Sequence, residues 1–312
     1  VYKSLRVQLL LRMLPLIAIP IFLLVAFSYS FYTQAIDEQA TAFAGQMLEQ
    51  VQLNVDTSVG EADRIITYMA QDEQVVEFLR LSGFYAPGRI RLETAVRLLM
   101  RTYLEANRDL ISGLLIVNRS DLYASNELYR IRRYPLTEES WYKQAVAARG
   151  KRLLLPKPIG RNIRKLNNYS ANDIVCISRA VFDPDTGEPL GVILVDMRLE
   201  FIDARIRDLR LGKSGYVFIQ DDRAQVVFAP VNETVYRINA DWLGAQASTY
   251  TVLGKRYQLL STHSKETGWT TVGVFQGGEV LEPVVMIRRY TILFTFIAVL
   301  LAAVVALTFS AS

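Results

Sequence analysis

Side chains able to do covalent or metal chemistry are scarce in this chain. Its one histidine, His263, falls in a strand-like run with neither a cysteine partner nor a second histidine, which leaves no basis for a zinc site or a Ser-His-Asp triad. The one cysteine, Cys176, lies in the apolar run Ile174-Val175-Cys176-Ile177. A buried structural thiol is expected there, and an intrachain disulfide is ruled out. No G-x-S-x-G elbow is present. Gly212-Lys213-Ser214 imitates the end of a phosphate-binding loop, but Arg207 stands where the upstream glycine belongs and a strand follows, so it reads as a turn. Asp221-Asp222 reads as a solvated hairpin tip. These residues predict a non-catalytic segment with no cofactor and no metal site.

Binding chemistry is better represented. Thr137-Glu138-Glu139-Ser140-Trp141-Tyr142 puts two aromatics on a helix set between strands, and small-molecule pockets are lined by aromatic faces with a few placed polar groups. Asp196 interrupts the apolar strand Gly191-Val192-Ile193-Leu194-Val195, where a carboxylate is costly unless it is paired or faces a ligand cavity. Two plainer readings stay open: Trp141 as core, and Asp196 as the cap of a helix beginning near Glu200.

These residues need a frame, and the frame is set by two apolar stretches. Met13 to Phe31 and Tyr290 to Phe309 carry no charge, and each has the length of roughly 20 residues that a helix needs to cross a bilayer. Lys3, Arg6 and Arg12 precede the first stretch and no acidic residue appears before Asp37, which places residues 1–12 in the cytoplasm and the middle segment outside. The expected layout is membrane spans at 13–32 and 290–309 around an outer segment. The first apolar run is longer than a signal-peptide core and lacks a cleavage site, so a retained anchor is favoured. A net charge of +4 with no Lys/Arg block gives no reason to expect nucleic acid as a partner. An exported domain without disulfides suits a bacterial surface.

From Tyr32 to Leu81 there is no proline, and apolar or small residues recur at Ile36, Ala40, Phe43, Met47, Val51, Val55, Val59, Ala62, Ile66 and Met69. The spacing predicts one amphipathic helix over 33–81, on the order of 75 Å long, that runs beside a tall outer domain or pairs with a second copy. Ile90 to Arg108 forms a second helix. Short apolar runs at 111–117, 122–124, 153–155, 174–182 and 190–197 read as strands, with Asp183-Pro184-Asp185-Thr186-Gly187 joining the last two. Thr137 can cap a helix through Ala148. A helix over Glu200 to Leu209 closes this unit, about 82–210. A second unit, 211–285, holds a hairpin around Asp221-Asp222, a possible helix at Val235 to Leu243, and strands at Tyr250 to Ser261 and Trp269 to Phe275.

The order of long outer helix, Trp141-Tyr142 helix, Ile177-Ser178-Arg179 strand, Gly191 to Asp196 strand and Gly215-Tyr216-Val217-Phe218-Ile219 hairpin resembles a double Cache (dCache) sensory domain. Met47-Leu48-Glu49-Gln50-Val51 through Ala62-Asp63-Arg64-Ile65 is similar to the start of the ectodomain in YesM-type sensor histidine kinases. The resemblance implies an α+β fold of two stacked Cache units, the membrane-distal one binding a small extracellular ligand. It also implies a homodimer in the bacterial cell membrane and a histidine-kinase portion beyond Ser312 that works with a response regulator. A chemoreceptor or a diguanylate cyclase is the alternative output, and a surface adhesin the alternative outside signalling. In amino-acid-binding members an arginine two positions before the tryptophan holds the ligand carboxylate and an aspartate at the Asp196 position holds its amine. Here the arginine position is Glu139, which disfavours an ordinary amino acid and leaves a sugar, a cation or a peptide open. Trp141, Tyr142 and Asp196 match, and Tyr123 and Arg179 are further lining candidates.

Overall fold

Helix α1 runs from Leu5 to Gln71 and packs against both sheets of the molecule. The computed structural model describes residues 5–165, 173–200, 202, 206, 215–230, 248–252, 254–276, 289–297, 300, 301 and 304. Ala44, Leu48, Val51, Val55, Val59, Ala62, Ile66 and Met69 are all buried along α1, in steps of three or four that keep one face on the core. The single helix expected over 33–81 is in fact two. Asp72 leaves helical geometry at φ −71° and ψ 130°, and its carboxylate accepts the N–H groups of Gln74 and Val75 at 2.9 and 3.2 Å, so α2 (Glu73–Leu79) starts afresh. Helix α3 (Arg89–Ala106) follows.

Strands β1 (Ile111–Asn118), β2 (Tyr123–Asn126) and β3 (Leu128–Arg130) come next, then a 3-10 turn at Leu136–Glu138 and helix α4 (Ser140–Ala147). Strands β4 (Leu153–Pro156), β5 (Ile163–Lys165), β6 (Ile174–Phe182) and β7 (Pro189–Arg198) complete this part. Five of them form an antiparallel sheet in the order β2-β1-β7-β6-β4, and β3 pairs with β5 beside it. A second antiparallel sheet contains β8 (Tyr216–Gln220), β9 (Val226–Phe228), β10 (Ser248–Val252), β11 (Lys255–His263) and β12 (Thr270–Gln276), in the order β10-β11-β12-β8-β9. Counted within each sheet, both follow one topology: second strand, first, fifth, fourth, third.

Alternation along the strands divides the first sheet between two layers. Leu114, Ile116, Val175, Ile177, Ile193 and Val195 face the core shared with the helices α1 to α3, whereas Leu115, Val117, Cys176, Val192 and Leu194 pack with α4. The second sheet is tied to α1 by polar contacts. Ser264 Oγ lies 2.8 Å from both carboxylate oxygens of Asp56, Thr267 Oγ1 donates to the same carboxylate at 3.2 Å, and Thr271 Oγ1 donates to Gln52.

Several expectations are corrected. The run from Tyr250 to Ser261 is two strands, because Gly254 at φ 76° turns the chain between β10 and β11. Thr137 does not cap α4; the chain passes through the 3-10 turn first, and Glu139 occupies the cap position without a side-chain cap bond. Asp221 is no solvated tip: it is buried, and its carboxylate accepts the N–H groups of Arg223 and Gln225 at 2.9 and 2.7 Å. The expected helix at 235–243, most of the one at 200–209 and the Gly212-Lys213-Ser214 turn lie outside the described residues. Among the described residues no helix is long and apolar enough to cross a membrane.

Candidate functional site

The face of the first sheet that meets α4 carries a buried charge. Asp196 shares that face with Val192 and Leu194 on β7, and its neighbours in register are Cys176 on β6 and Gly113 on β1. It is fully buried, which in an apolar layer demands a partner. Arg161 supplies it. One guanidinium nitrogen donates to Asp196 Oδ1 at 2.7 Å and the other to Oδ2, a two-pronged pair with the arginine side chain 5% exposed. Arg161 stands in the loop between β4 and β5, after Gly160 at φ 81°.

The loop is pinned by its next residue. Asn162 Oδ1 accepts the Arg132 N–H at 2.7 Å, and Asn162 Nδ2 donates to the carbonyls of Arg132 and Tyr134 at 3.0 and 2.9 Å. The Asn162 N–H donates to Glu139 Oε2 at 3.1 Å. Glu139 therefore fastens the Arg161 loop to the start of α4. Gly113 makes room for the covering β3 strand: a Cβ there would sit 2.7 Å from Leu128 Cγ.

Trp141 and Tyr142 are both buried at the start of α4, edge to face with centroids 5.8 Å apart. Trp141 Nε1 on this side of the sheet, and Ser178 Oγ between Cys176 and Ala180 on β6, are buried without a hydrogen-bond partner among the described residues. Burial, and next the Asp121 carboxylate, push the Tyr142 phenol up to about 12. Burial and then Asp196 push the Cys176 thiol far up, so it stays protonated as a structural thiol. Tyr123 packs at the edge of the same cluster beneath the Arg130 guanidinium, 4.8 Å from its ring centre, and Arg130 in turn pairs with Asp121 at 2.9 Å.

Of the six candidates named from sequence, Trp141, Tyr142, Asp196 and Tyr123 come together on this face and Glu139 borders it. Arg179 does not. It projects to the opposite side of β6, where it donates to both carboxylate oxygens of Asp63 at 2.6 Å and to Thr67 Oγ1 at 2.8 Å, clamping the sheet to α1. The residue that sequence reasoning missed is Arg161. The signal available was indirect: a carboxylate inside an apolar strand needs a cation, and Arg161 is placed by a glycine turn in a loop. Among the described residues no group of three or more His, Cys, Asp or Glu could hold a metal ion.

Comparison with known proteins adds the family. The chain is 23% identical over 318 residues to the methyl-accepting chemotaxis protein McpA of Bacillus subtilis, across 97% of this chain and 43% of that protein. It thus spans less than half the length of that curated relative. The ligand-binding domain of the Pseudomonas fluorescens chemoreceptor CtaA, solved in complex with L-leucine, superposes with a TM-score of 0.60 at 16% identity, over 80% of this chain and all of that one. The ligand-binding domain of Mlp24 with asparagine gives a TM-score of 0.58 at 12% identity, over 81% of this chain and 98% of that one. At such identities the superpositions establish the fold. The Cache domain profile, in its double form, matches residues 30–284, most of the sequence, and the chain accordingly belongs to the dCache family.

Proposed function

We propose that this chain is the extracellular sensory part of a methyl-accepting chemoreceptor and binds a small molecule on the Asp196 face of the first sheet. The observation that carries the reading is the match to a chemotaxis protein along 97% of the chain. It favours a chemoreceptor output over the histidine kinase with its response regulator. A small-molecule ligand is supported by the dCache neighbours solved with leucine and asparagine. The buried, chemically specialised face supports the unit at 82–210 as the binding one, distal to the membrane, with 211–285 proximal.

The apolar ends fit anchorage in a membrane. Phe22, Leu23, Leu24 and Phe27 near one end, and Tyr290, Phe294, Leu300 and Leu301 near the other, are all exposed, a pattern that water does not favour and lipid does. Phe43, 59% exposed on α1, is available to a second copy. Ligand can act only by binding one conformation more tightly than another. The contact at the foot of the binding unit offers a route: Arg152, just before β4, donates to the Glu266 carbonyl in the β11–β12 turn, and that turn holds Asp56 on α1.

A chimera tests the output. The chain joined at Ser312 to the cytoplasmic portion of McpA, in cells lacking other receptors, should make swimming respond to any compound that thermally stabilises the chain. A chimera that accumulates in the membrane yet leaves swimming indifferent to such compounds rules the reading out.

A further inference from the structure

Each charged group around the proposed site is engaged within the chain through at least one of its atoms, whereas two neutral polar groups have no partner among the described residues. Asp196 receives the Arg161 guanidinium on both oxygens, Asp121 pairs with Arg130, and Glu139 accepts the Asn162 N–H. A ligand ammonium seeking Asp196 would have to displace a buried two-pronged guanidinium, which is more costly than filling a vacant carboxylate. A ligand carboxylate would meet the charge of Glu139. By contrast, the indole N–H of Trp141, 3% exposed, and the hydroxyl of Ser178, fully buried, lie in the layer between sheet and α4 with no partner among the described residues. A buried polar group without a partner is expensive, and such groups occur where a ligand or water completes them.

Resting on the reading of this face as the sensory site, we propose that its ligand is an uncharged, hydroxyl-rich molecule such as a monosaccharide or cyclic polyol, recognised by Trp141 Nε1 and Ser178 Oγ while Arg161 fills the cationic place opposite Asp196. Hydroxyl groups suit both open positions, since each can accept from the indole N–H and either donate to or accept from the serine. The Trp141 and Tyr142 rings offer apolar area to the C–H face of a ring polyol. The Tyr142 phenol and Cys176 thiol both stay protonated, which keeps the remaining lining neutral.

The test is thermal unfolding of the full chain in lipid nanodiscs against two sets of probes at millimolar concentration. D-galactose, D-ribose and myo-inositol form the neutral set; L-leucine, L-glutamate, succinate and putrescine form the charged set. At least one neutral probe should raise the midpoint, and Trp141→Phe and Ser178→Ala should each weaken its apparent affinity about tenfold. Each variant keeps most of the packing volume, and its unliganded melt reports whether it folds. The proposal is overturned if no neutral probe shifts the midpoint, or if a neutral shift is indifferent to both substitutions. A charged probe whose shift vanishes in Asp196→Asn overturns the ligand class and leaves the site standing. A shift that survives every substitution on this face removes the site itself, and the proposal with it.

Discussion

The two five-stranded sheets share one strand order and lean on the same helix, yet their outer faces hold different things. In the second sheet that face is Tyr216, Phe218, Leu259, Val272 and Val274, an apolar layer with no buried ion pair among the described residues. In the first, the equivalent layer surrounds Asp196 and Arg161 and is covered by α4 and the β3–β5 pair. Since the frame is common, the charge and its cover cannot be requirements of the topology. On the proposed reading they belong to what the first sheet binds. A frame that can be built with plain apolar packing gains no need for a costly buried pair from its topology, and specificity or function is a reason to retain one.

Breaking the pair should therefore produce the largest effect in the molecule. Arg161→Ala removes the two-pronged guanidinium from a buried carboxylate and should destabilise the first sheet by about 3–5 kcal/mol. Replacing both members, as Arg161→Met with Asp196→Leu, should recover most of that loss, because the apolar pair resembles what the second sheet already does. Urea unfolding monitored at Trp141 measures both. If the single variant unfolds at the same urea concentration as the parent, the pair is not buried as described, and the contrast between the sheets fails.

How far the sequence foretells this contrast depends on the residue. The core stripe of α1 is legible because exposed and buried positions alternate along a long uninterrupted helix, and Asp183 to Gly187 is legible as a turn because each residue suits its place there. Trp141, Tyr142 and Asp196 stand out by type. Arg179 misleads for a physical reason: both faces of β6 are buried, so its alternation has no visible phase and nothing in the run 174–182 says which residues face α4. Strands β3 and β5 are three residues each, too short to leave a pattern, and Arg161 lies in the loop between elements that pattern does not reveal. The break at Asp72 is marked only by one side chain that accepts two backbone N–H groups.

The anchoring of the second sheet can be broken independently. Asp56 on α1 accepts from Ser264, Thr267 and Gln52, so Asp56→Ala removes charge-assisted bonds to the β11–β12 turn and should cost about 1.5–3 kcal/mol. Hydrogen exchange should show the loss in β11 and β12 while the amides of β6 and β7 keep their protection. Equal loss in both sheets would mean that the two unfold as one unit and that the contrast is confined to their surfaces. A smaller change sharpens the first sheet alone. Gly113→Ala puts a methyl group 2.7 Å from Leu128 Cγ, and the buried leucine must shift, at about 1–2 kcal/mol. Since Leu128 is on the covering strand, ligand affinity should fall with stability in that variant; unchanged affinity would place the ligand away from β3.

The smallest effect on stability is expected where the two regions touch. Arg152 is 21% exposed and Glu266 is 74% exposed, so their ion pair at 3.3 Å is screened by water, and Glu266→Ala should change unfolding by less than about 1 kcal/mol. The bond from Arg152 to the Glu266 carbonyl survives that substitution, because it uses the main chain. Arg152→Ala removes both contacts. If the β11–β12 turn conveys the state of the ligand face to Asp56, Arg152→Ala should leave ligand affinity near that of the parent while reducing the swimming response of the chimera, and Glu266→Ala should do so more weakly. The graded outcome is the informative one. A response that persists at full strength in Arg152→Ala would mean that the signal reaches α1 from the first sheet itself, through contacts such as Arg179 with Asp63, and that the second sheet is a spacer and not a relay.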